Sequence, residues 1–461
     1  MGYGGLQIDD NSDQSNSSAF LSPSCEARNL CYAFDRTATL HVGNSQNGMT
    51  VILFEDELWR HFATLVQARP VFELRCGAFS NRERVMAILG RPAYGLMRPH
   101  LMAYFGPSGG LASLLASSDP ILLVNGRALN LEWLTSLACE PINTAYIVGE
   151  TLLGARVSPA LASAIIYYLR EQQAEAARDE LLRFARVVEL QPPAALLRYP
   201  WDLITEAGEQ LIRDEPLLAR RLPLFSADTP HIITHGKRVY VDPAAQLIGP
   251  VVFDSRDGPI FIEAAHIEPF SYIQGPAYIG PGTIIASARI RAESCIGPVC
   301  RVGGEVEASI IHGYSNKHHD GFLGHSWLGE WVNIGAMTTN SDLKNNYGSV
   351  RVMLEGIGQI DTGILKLGCF LADHVKLGIG LHLTGGTMIG TGSNVFGMHS
   401  APKNVPHFTW GGEVFREYRI DTMISVARIV MARRKRELTP AYEQVLRKAF
   451  ELTQPSRDGL G

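Results

Sequence analysis

Four histidines, His312, His318, His319 and His325, fall within fourteen residues of a 461-residue chain that holds 14 histidines in all. Imidazole is the side chain best suited to move a proton near neutral pH, so this cluster is where acid–base chemistry is first sought. The same residues could instead bind a metal or serve as hydrogen-bonded structural groups. Asp320 is adjacent, but no carboxylate-rich set at zinc-like spacing accompanies them. Lys317 and Lys344 lie in or just beyond the cluster; each is a solvated lysine or the cation a sugar phosphate needs nearby. A second concentration, Arg69, Arg75, Arg82 and Arg84, follows the strand-like run Thr50-Val51-Ile52-Leu53-Phe54. Ligands of parallel α/β domains bind beyond the carboxyl ends of strands, where arginines suit phosphates; a solvated charged face is the plainer alternative. Leu122-Leu123-Val124-Asn125-Gly126-Arg127 has the form of a strand ending in a tight turn at that same edge, and Tyr199-Pro200-Trp201-Asp202-Leu203 supplies an acid placed to cap a helix.

The elements that must position these groups differ along the chain. Residues 1–48 are rich in Ser, Asn, Asp and Gly and are expected to form a disordered leader. Residues 49–228 read as α/β, with buried-strand runs at 51–54 and 121–124, short helices at 81–89 and 132–138, and longer ones at 159–170 and 175–189, the last ended by Pro192 and Pro193. Alternating strands and helices favour a largely parallel sheet.

Residues 229–412 follow a different rule. Ile267, Ile273, Ile279 and Ile285 are six apart; Ile290, Ile296 and Val302 continue after a one-residue slip; Leu328 and Ile334 resume; Leu371, Leu377, Leu383, Ile389 and Val395 add five in register. A helix cannot keep one face at period six. A parallel β-helix with three short strands per coil can, each aliphatic side chain pointing into a triangular prism. The repeat is interrupted at 305–322 and at 339–360, where loops on a binding face are expected. Residues 413–461 carry helices, with Ile420, Met423, Ile424, Ala427, Val430 and Met431 on one face, the basic run Arg433-Arg434-Lys435-Arg436, and a second start at Thr439-Pro440. Helices here could cap the open end of the prism.

Composition narrows the partners. Hydrophobic residues are 46% and the net charge is −5, which leaves no basic excess for nucleic acid. Seven scattered cysteines with no CxxC pair suggest reduced thiols and a cytoplasmic protein. No apolar run reaches the roughly 18–20 residues that span a bilayer, so no membrane is expected.

Several strings resemble a known family: Ile52-Leu53-Phe54-Glu55-Asp56, Ala68-Arg69-Pro70-Val71-Phe72-Glu73-Leu74-Arg75-Cys76-Gly77, Val124-Asn125-Gly126-Arg127, Leu343-Lys344-Asn345-Asn346-Tyr347-Gly348, and above all the run from His319 through Val332-Asn333-Ile334-Gly335-Ala336. They are similar to a divergent bacterial branch of the bifunctional N-acetylglucosamine-1-phosphate uridylyltransferase/glucosamine-1-phosphate acetyltransferases, over about residues 49–412. The resemblance implies a nucleotidyltransferase-like α/β domain, a left-handed hexapeptide β-helix and C-terminal helices. It implies a sugar-nucleotide biosynthetic transferase that uses acetyl-CoA, a nucleoside triphosphate and a sugar 1-phosphate, with Mg²⁺ if nucleotidyl transfer is retained, working as a homotrimer. An alternative is nucleotidyl transfer alone, the β-helix serving oligomerisation or regulation. Carried over, His319 falls on the catalytic base and Asn333 on a substrate- or donor-contacting asparagine. Lys317, Lys344, Tyr347 and Arg301 complete the expected substrate-binding set; Arg69, Arg75, Arg82 and Asn125 are the expected nucleotide and phosphate ligands. Phe322 stands where the family has a tyrosine that touches the sugar phosphate. Arg127 stands where the family has a metal-binding aspartate, and a cation there cannot bind Mg²⁺. The metal ligands are left unassigned.

Overall fold

The structure is a computed structural model that describes residues 48–107, 110–116, 118–171, 173–191, 195–226 and 229–460. The expected leader lies, apart from Gly48, outside the described residues, as do Pro192 and Pro193.

Apolar runs buried on both faces make central parallel strands, and β1 (Thr50–Phe54), buried from Val51 on, is one. With β2 (Ala93–Leu96), β3 (Ile121–Asn125), β4 (Thr144–Val148), β5 (Thr151–Val157) and β6 (Arg186–Glu189) it forms a six-stranded sheet in the order β2-β1-β3-β5-β4-β6. The sheet is mixed rather than largely parallel, because β5 runs antiparallel to both β3 and β4. Helix α1 (Asn81–Leu89) starts at a reciprocal Ser80–Glu83 capping box and stops at Gly90, whose φ of 64° glycine adopts without strain. Ser158 caps α2 (Pro159–Arg170). Helix α3 (Ala174–Phe184) is shorter than the expected 175–189. Arg186-Val187-Val188-Glu189 leaves the helix to pair in parallel with β4, since stiff β-branched Val187 and Val188 pack better on a pleated surface than in a last helical turn.

From Ile232 onward the chain winds into a left-handed parallel β-helix of about ten turns. Every aliphatic residue of the six-residue series, from Ile267 to Val395, is buried in one continuous core. The stretch 305–322 corrects the sequence reading: it is not a loop. Glu305, Val306 and Glu307 pair with Phe322, Leu323 and Gly324 of the following coil, and Lys317 pairs with inward-facing Val302. The period was masked because a lysine takes an inward place. The second excursion is a true one. Thr339–Asn340 still pairs within the coil. The chain then departs, forms an antiparallel hairpin from Arg351–Leu354 and Gly358–Asp361, and rejoins where Phe370–Leu371 pairs with Trp327 and Leu328.

The sheet edge at the end of the β-helix is closed by strand pairing. Phe415–Glu417 folds back antiparallel on Thr409–Gly411, the last parallel strand, and so covers the edge of that sheet. Helices α4 (Ile420–Ala432) and α5 (Pro440–Leu452) pack on the last coil, where the Phe450 ring lies 5.4 Å from that of Phe408, and also reach the α/β domain. Tyr442 of α5 is buried 5.9 Å from the His374 ring of the β-helix and 4.8 Å from the Tyr104 ring of the α/β domain.

Candidate functional site

Between two corners of one coil runs the strand Phe322–Gly324, with Leu323 pointing into the prism. His318-His319-Asp320-Gly321 turns into it and His325 turns out of it. His325 holds a left-handed backbone, φ 48°, which is uncommon for a non-glycine residue. That corner is fixed on both sides: the His325 N–H donates to Glu307 O and its carbonyl accepts from Gly368 N, each at 2.9 Å. The His325 Nδ1 lies 2.7 Å from Asp342 Oδ2, which the second excursion brings over the coil. Asp342 is itself held, its carbonyl accepting from Leu367 N at 2.8 Å. Burial pulls the Asp342 carboxyl up, but its hydrogen bond and charge interaction with His325, aided by Lys366, keep it below the usual range. Gly324 makes this meeting possible. A Cβ there would come 2.4 Å from the Phe322 ring and 2.6 Å from Asp342 Oδ2, closer than atoms can approach. The Phe322 ring, the carboxylate and the imidazole therefore share one small, half-buried surface.

His319 is exposed at the opposite corner, and its ring has no hydrogen-bond partner among the described residues. Its backbone is tied from inside. Lys317 is 2% exposed and donates from Nζ to Gly303 O at 2.9 Å and to His319 O at 2.6 Å. Lys317 is thus a corner brace rather than a substrate-facing cation, which corrects the sequence expectation. Burial pulls its ammonium down to about 8, with Asp320 opposing. An amine whose folded pKa lies below its unfolded value binds fewer protons when folded, so it penalises folding below about pH 8 and releases that penalty as pH rises toward its ordinary value. Unfolding free energies measured at pH 8 and pH 10 are expected to show a rising Lys317 contribution that Lys317→Met lacks; equal slopes would refute it.

The remaining expected substrate residues divide between two places. Arg301, Asn316, Asn333 and Lys376 form a ladder across successive coils on a different face from Phe322. Asn316 Nδ2 donates to Asn333 Oδ1 at 2.9 Å, and Arg301 Nη1 donates to Cys300 O and Gly282 O. Lys344 and Tyr347 sit in the excursion: Lys344 Nζ donates to Ser349 O, while Tyr347 is exposed. Within one chain, Asn333 and Arg301 are therefore not brought to the His325–Asp342 surface.

The expected phosphate ligands are corrected, because all four are paired within the chain and all but half-buried Arg82 are buried. Arg69 is 1% exposed and clasps Asp373 through Nε and Nη2, both at 2.7 Å, with Glu330 at 3.3 Å. Arg75 donates to His312 O and lies 3.2 Å from Glu83. Arg82 pairs with Glu73 at 2.6 Å. Asn125 donates its amide to Asp56 Oδ2 and Leu152 O. The run Ala68–Gly77 is a seam that fastens the α/β domain to the β-helix, where Trp327 Nε1 also donates to Arg75 O at 3.2 Å. His312 belongs to this seam, its Nε2 lying 2.6 Å from Glu73 O; burial, then neighbouring Arg69, drive its pKa far down. It is a neutral structural histidine despite its place in the cluster.

At the carboxyl end of β1 the acids are likewise taken up. Asp56 is bound by Arg127 and Glu55 by Arg98. No group of three or more His, Cys, Asp or Glu suited to a metal occurs among the described residues. The arrangement does not fit Mg²⁺, because guanidinium groups already neutralise the carboxylates it would need. Asp202 accepts from Arg198 N and Tyr199 N and steadies the turn before a short helix. Sequence reasoning missed Asp342, Glu330 and Asp373. Only Asp342 carried a signal, the string Asn340-Ser341-Asp342 at the mouth of the excursion.

Residues 51–222 match a family model described as sugar nucleotidyl transferase. The match coincides with the α/β domain. Among curated proteins, the chain is 34% identical over 92 residues to the bifunctional sugar-1-phosphate nucleotidylyltransferase/acetyltransferase of Sulfurisphaera tokodaii, covering 20% of this chain and 23% of that one. It is 33% identical over 132 residues to the bifunctional protein GlmU of Acidithiobacillus ferrooxidans, covering 26% and 29%. The matches thus span about a quarter of these relatives' lengths. Among solved structures, AntD, an N-acyltransferase from Bacillus cereus in complex with dTDP-4-amino-4,6-dideoxyglucose and coenzyme A, is similar at 13% identity and a TM-score of 0.19, over 45% of this chain and 97% of that one. No helix among the described residues is long and apolar enough to cross a membrane.

Proposed function

We propose that the chain is a cytoplasmic enzyme of sugar-nucleotide synthesis. Its α/β domain transfers a nucleotidyl group from a nucleoside triphosphate to a sugar 1-phosphate with release of pyrophosphate, and its β-helix transfers an acetyl group from acetyl-CoA to the amine of an amino-sugar phosphate. The observation that carries the acyl-transfer half is the surface between His319 and His325, where a carboxylate-held imidazole stands beside an aromatic ring. A histidine there accepts the amine proton as the nitrogen attacks the thioester carbonyl, and the resemblance assigns that role to His319. The nucleotidyl half rests on the family match over residues 51–222. Glu55 and Asp56, the acids at the carboxyl end of β1, are held by arginines and are not free to ligate a metal. A homotrimer, in which Asn333 and Arg301 of one subunit complete the histidine face of the next, accommodates the separation of these residues within one chain.

Two assays on the purified full chain test this reading. Free thiol released from acetyl-CoA is followed with glucosamine 1-phosphate and other amino-sugar phosphates, and pyrophosphate release is followed with each nucleoside triphosphate and sugar 1-phosphate. Thiol release that requires the amine is expected. Pyrophosphate release with no thiol release for any amine would leave nucleotidyl transfer alone, with the β-helix as an assembly module.

A further inference from the structure

We infer that Arg301, Arg434 and Arg436 form a binding site for inorganic diphosphate where the C-terminal helices meet the β-helix. The inference does not rest on the activities proposed above, and it gives Arg301 a partner within its own chain.

The basic run Arg433-Arg434-Lys435-Arg436 leaves α4 at its carboxyl end, where cations commonly answer unsatisfied helix carbonyls. Here backbone N–H groups answer them. Arg433 N donates to Ile429 O at 3.2 Å, and Lys435 N to Ala432 O at 2.9 Å. Arg434 N and Arg436 N donate to Met431 O at 2.9 and 3.1 Å, and Lys435 closes the turn in a left-handed conformation, φ 56°. The side chains of the run are not needed for the cap.

Arg436 folds onto the β-helix instead. Its Nη2 donates to the Tyr314 hydroxyl at 2.9 Å, and its guanidinium carbon lies 5.5 Å from the centre of the Tyr314 ring. Tyr314 occupies a coil corner, and the carbonyl of the next residue, Ser315, accepts from Arg301 N at 3.0 Å. The corner therefore receives Arg436 from the helical turn and Arg301 from the preceding coil. Arg434, two residues before Arg436, is half-buried, and its Nε is buried with no hydrogen-bond partner among the described residues. Burial, then the charge of Arg434, pull the Arg301 guanidinium down, in keeping with this placement. Among the described residues no carboxylate pairs with any of the three. Glu437, the next acid along the chain, lines a separate cleft with His100 and Lys448. Guanidinium groups gathered without a counter-charge repel one another; an anion among them removes that repulsion and gives Arg434 Nε an acceptor.

The class of anion follows from charge and shape. A single phosphate group brings at most about two negative charges, too few for three guanidiniums. A diphosphate brings more charge and presents oxygens on two phosphorus atoms to planar, forked donors. Tyr314 offers a nucleobase no free face, because its ring is stacked on Trp331 at 4.5 Å and 19° and is approached by Arg436. The site therefore reads phosphate oxygens and not a nucleoside.

The test is equilibrium dialysis of the purified full chain against labelled inorganic pyrophosphate in metal-free, low-salt buffer, with ADP as the nucleotide comparator. Saturable binding is expected, weakening as salt is raised. Arg434→Gln and Arg436→Gln are each expected to weaken it by roughly tenfold or more, the scale of one lost hydrogen bond to a charged group. Arg428→Gln changes an exposed arginine of the same helix that is already paired with Glu443 at 2.7 Å, and should leave binding within about twofold. Thermal melting gives a second readout and checks folding: pyrophosphate should raise the wild-type Tm and leave that of Arg434→Gln unmoved. Three results overturn the inference: no saturable binding by the wild type, binding that Arg434→Gln and Arg436→Gln both leave within about twofold, or ADP bound about tenfold more tightly than pyrophosphate. Binding is read without turnover, so none of these outcomes bears on the proposed activities.

Discussion

Replacing Arg69 by alanine is expected to destabilise the protein by about 3–5 kcal/mol, the range for removing one member of a buried ion pair. Asp373 is wholly buried and receives both of its side-chain oxygens' strongest bonds from Arg69. Without the guanidinium its carboxylate keeps only the Glu330 N–H at 2.7 Å and faces the Glu330 carboxylate across a dry seam. Burial already pushes the Asp373 carboxyl up, so the variant would take up a proton there and lose still more stability as pH rises through the raised pKa. Since the pair spans the α/β domain and the β-helix, its loss should also weaken their coupling. Chemical unfolding monitored by both tryptophan fluorescence and far-UV circular dichroism checks this: the wild-type transitions should coincide more closely than those of the variant. The double change Arg69→Met with Asp373→Leu should recover part of the loss, because it removes the Asp373 charge while Glu330 still loses its contact with the guanidinium. A single-variant cost under about 1 kcal/mol would show that the seam tolerates an unpaired carboxylate and would refute the prediction.

A similar loss, about 3–5 kcal/mol, is expected for Arg127→Ala in the same domain. Arg127 is fully buried, donates from Nε to Asp56 Oδ1 at 2.7 Å and from Nη2 to Asp56 Oδ2, and reaches Leu197 O with Nη1. Asn125 completes the knot, donating from Nδ2 to Asp56 Oδ2 and accepting from the Arg127 N–H with Oδ1, both at 2.9 Å. Alanine leaves a void beside an acid that retains only the Asn125 amide and the Leu58 N–H at 3.2 Å. Arg127→Lys should rescue little, because one ammonium cannot bridge two carboxylate oxygens and a carbonyl in the planar geometry of a guanidinium. The shift of the denaturant midpoint measures both variants; equal midpoints for Lys and Arg at this position would mean that charge alone, not geometry, holds Asp56.

Much of this molecule is legible in its sequence because the relevant physics is local and periodic. A six-residue aliphatic series admits only a coil with three short sides, and each of its members does face the prism interior. Ser80, Ser158 and Thr439 announce helix starts because a side-chain oxygen three residues ahead of an amide satisfies it wherever it occurs. What the tertiary structure alone decided is the partner of each charge. Arg69, Arg75 and Arg82 have the composition of a phosphate cleft, yet they are neutralised in the seam and beside it, Arg69 by Asp373, more than 300 residues away. Lys317 reads as a surface cation and is an internal brace, since its inward place is set by the register with Val302. Of four clustered histidines, the fold buries His312, ties the backbone of His319 and gives His325 a carboxylate delivered by a chain excursion. Charge and titration depend on which groups meet in space, and spacing along the chain does not specify that meeting.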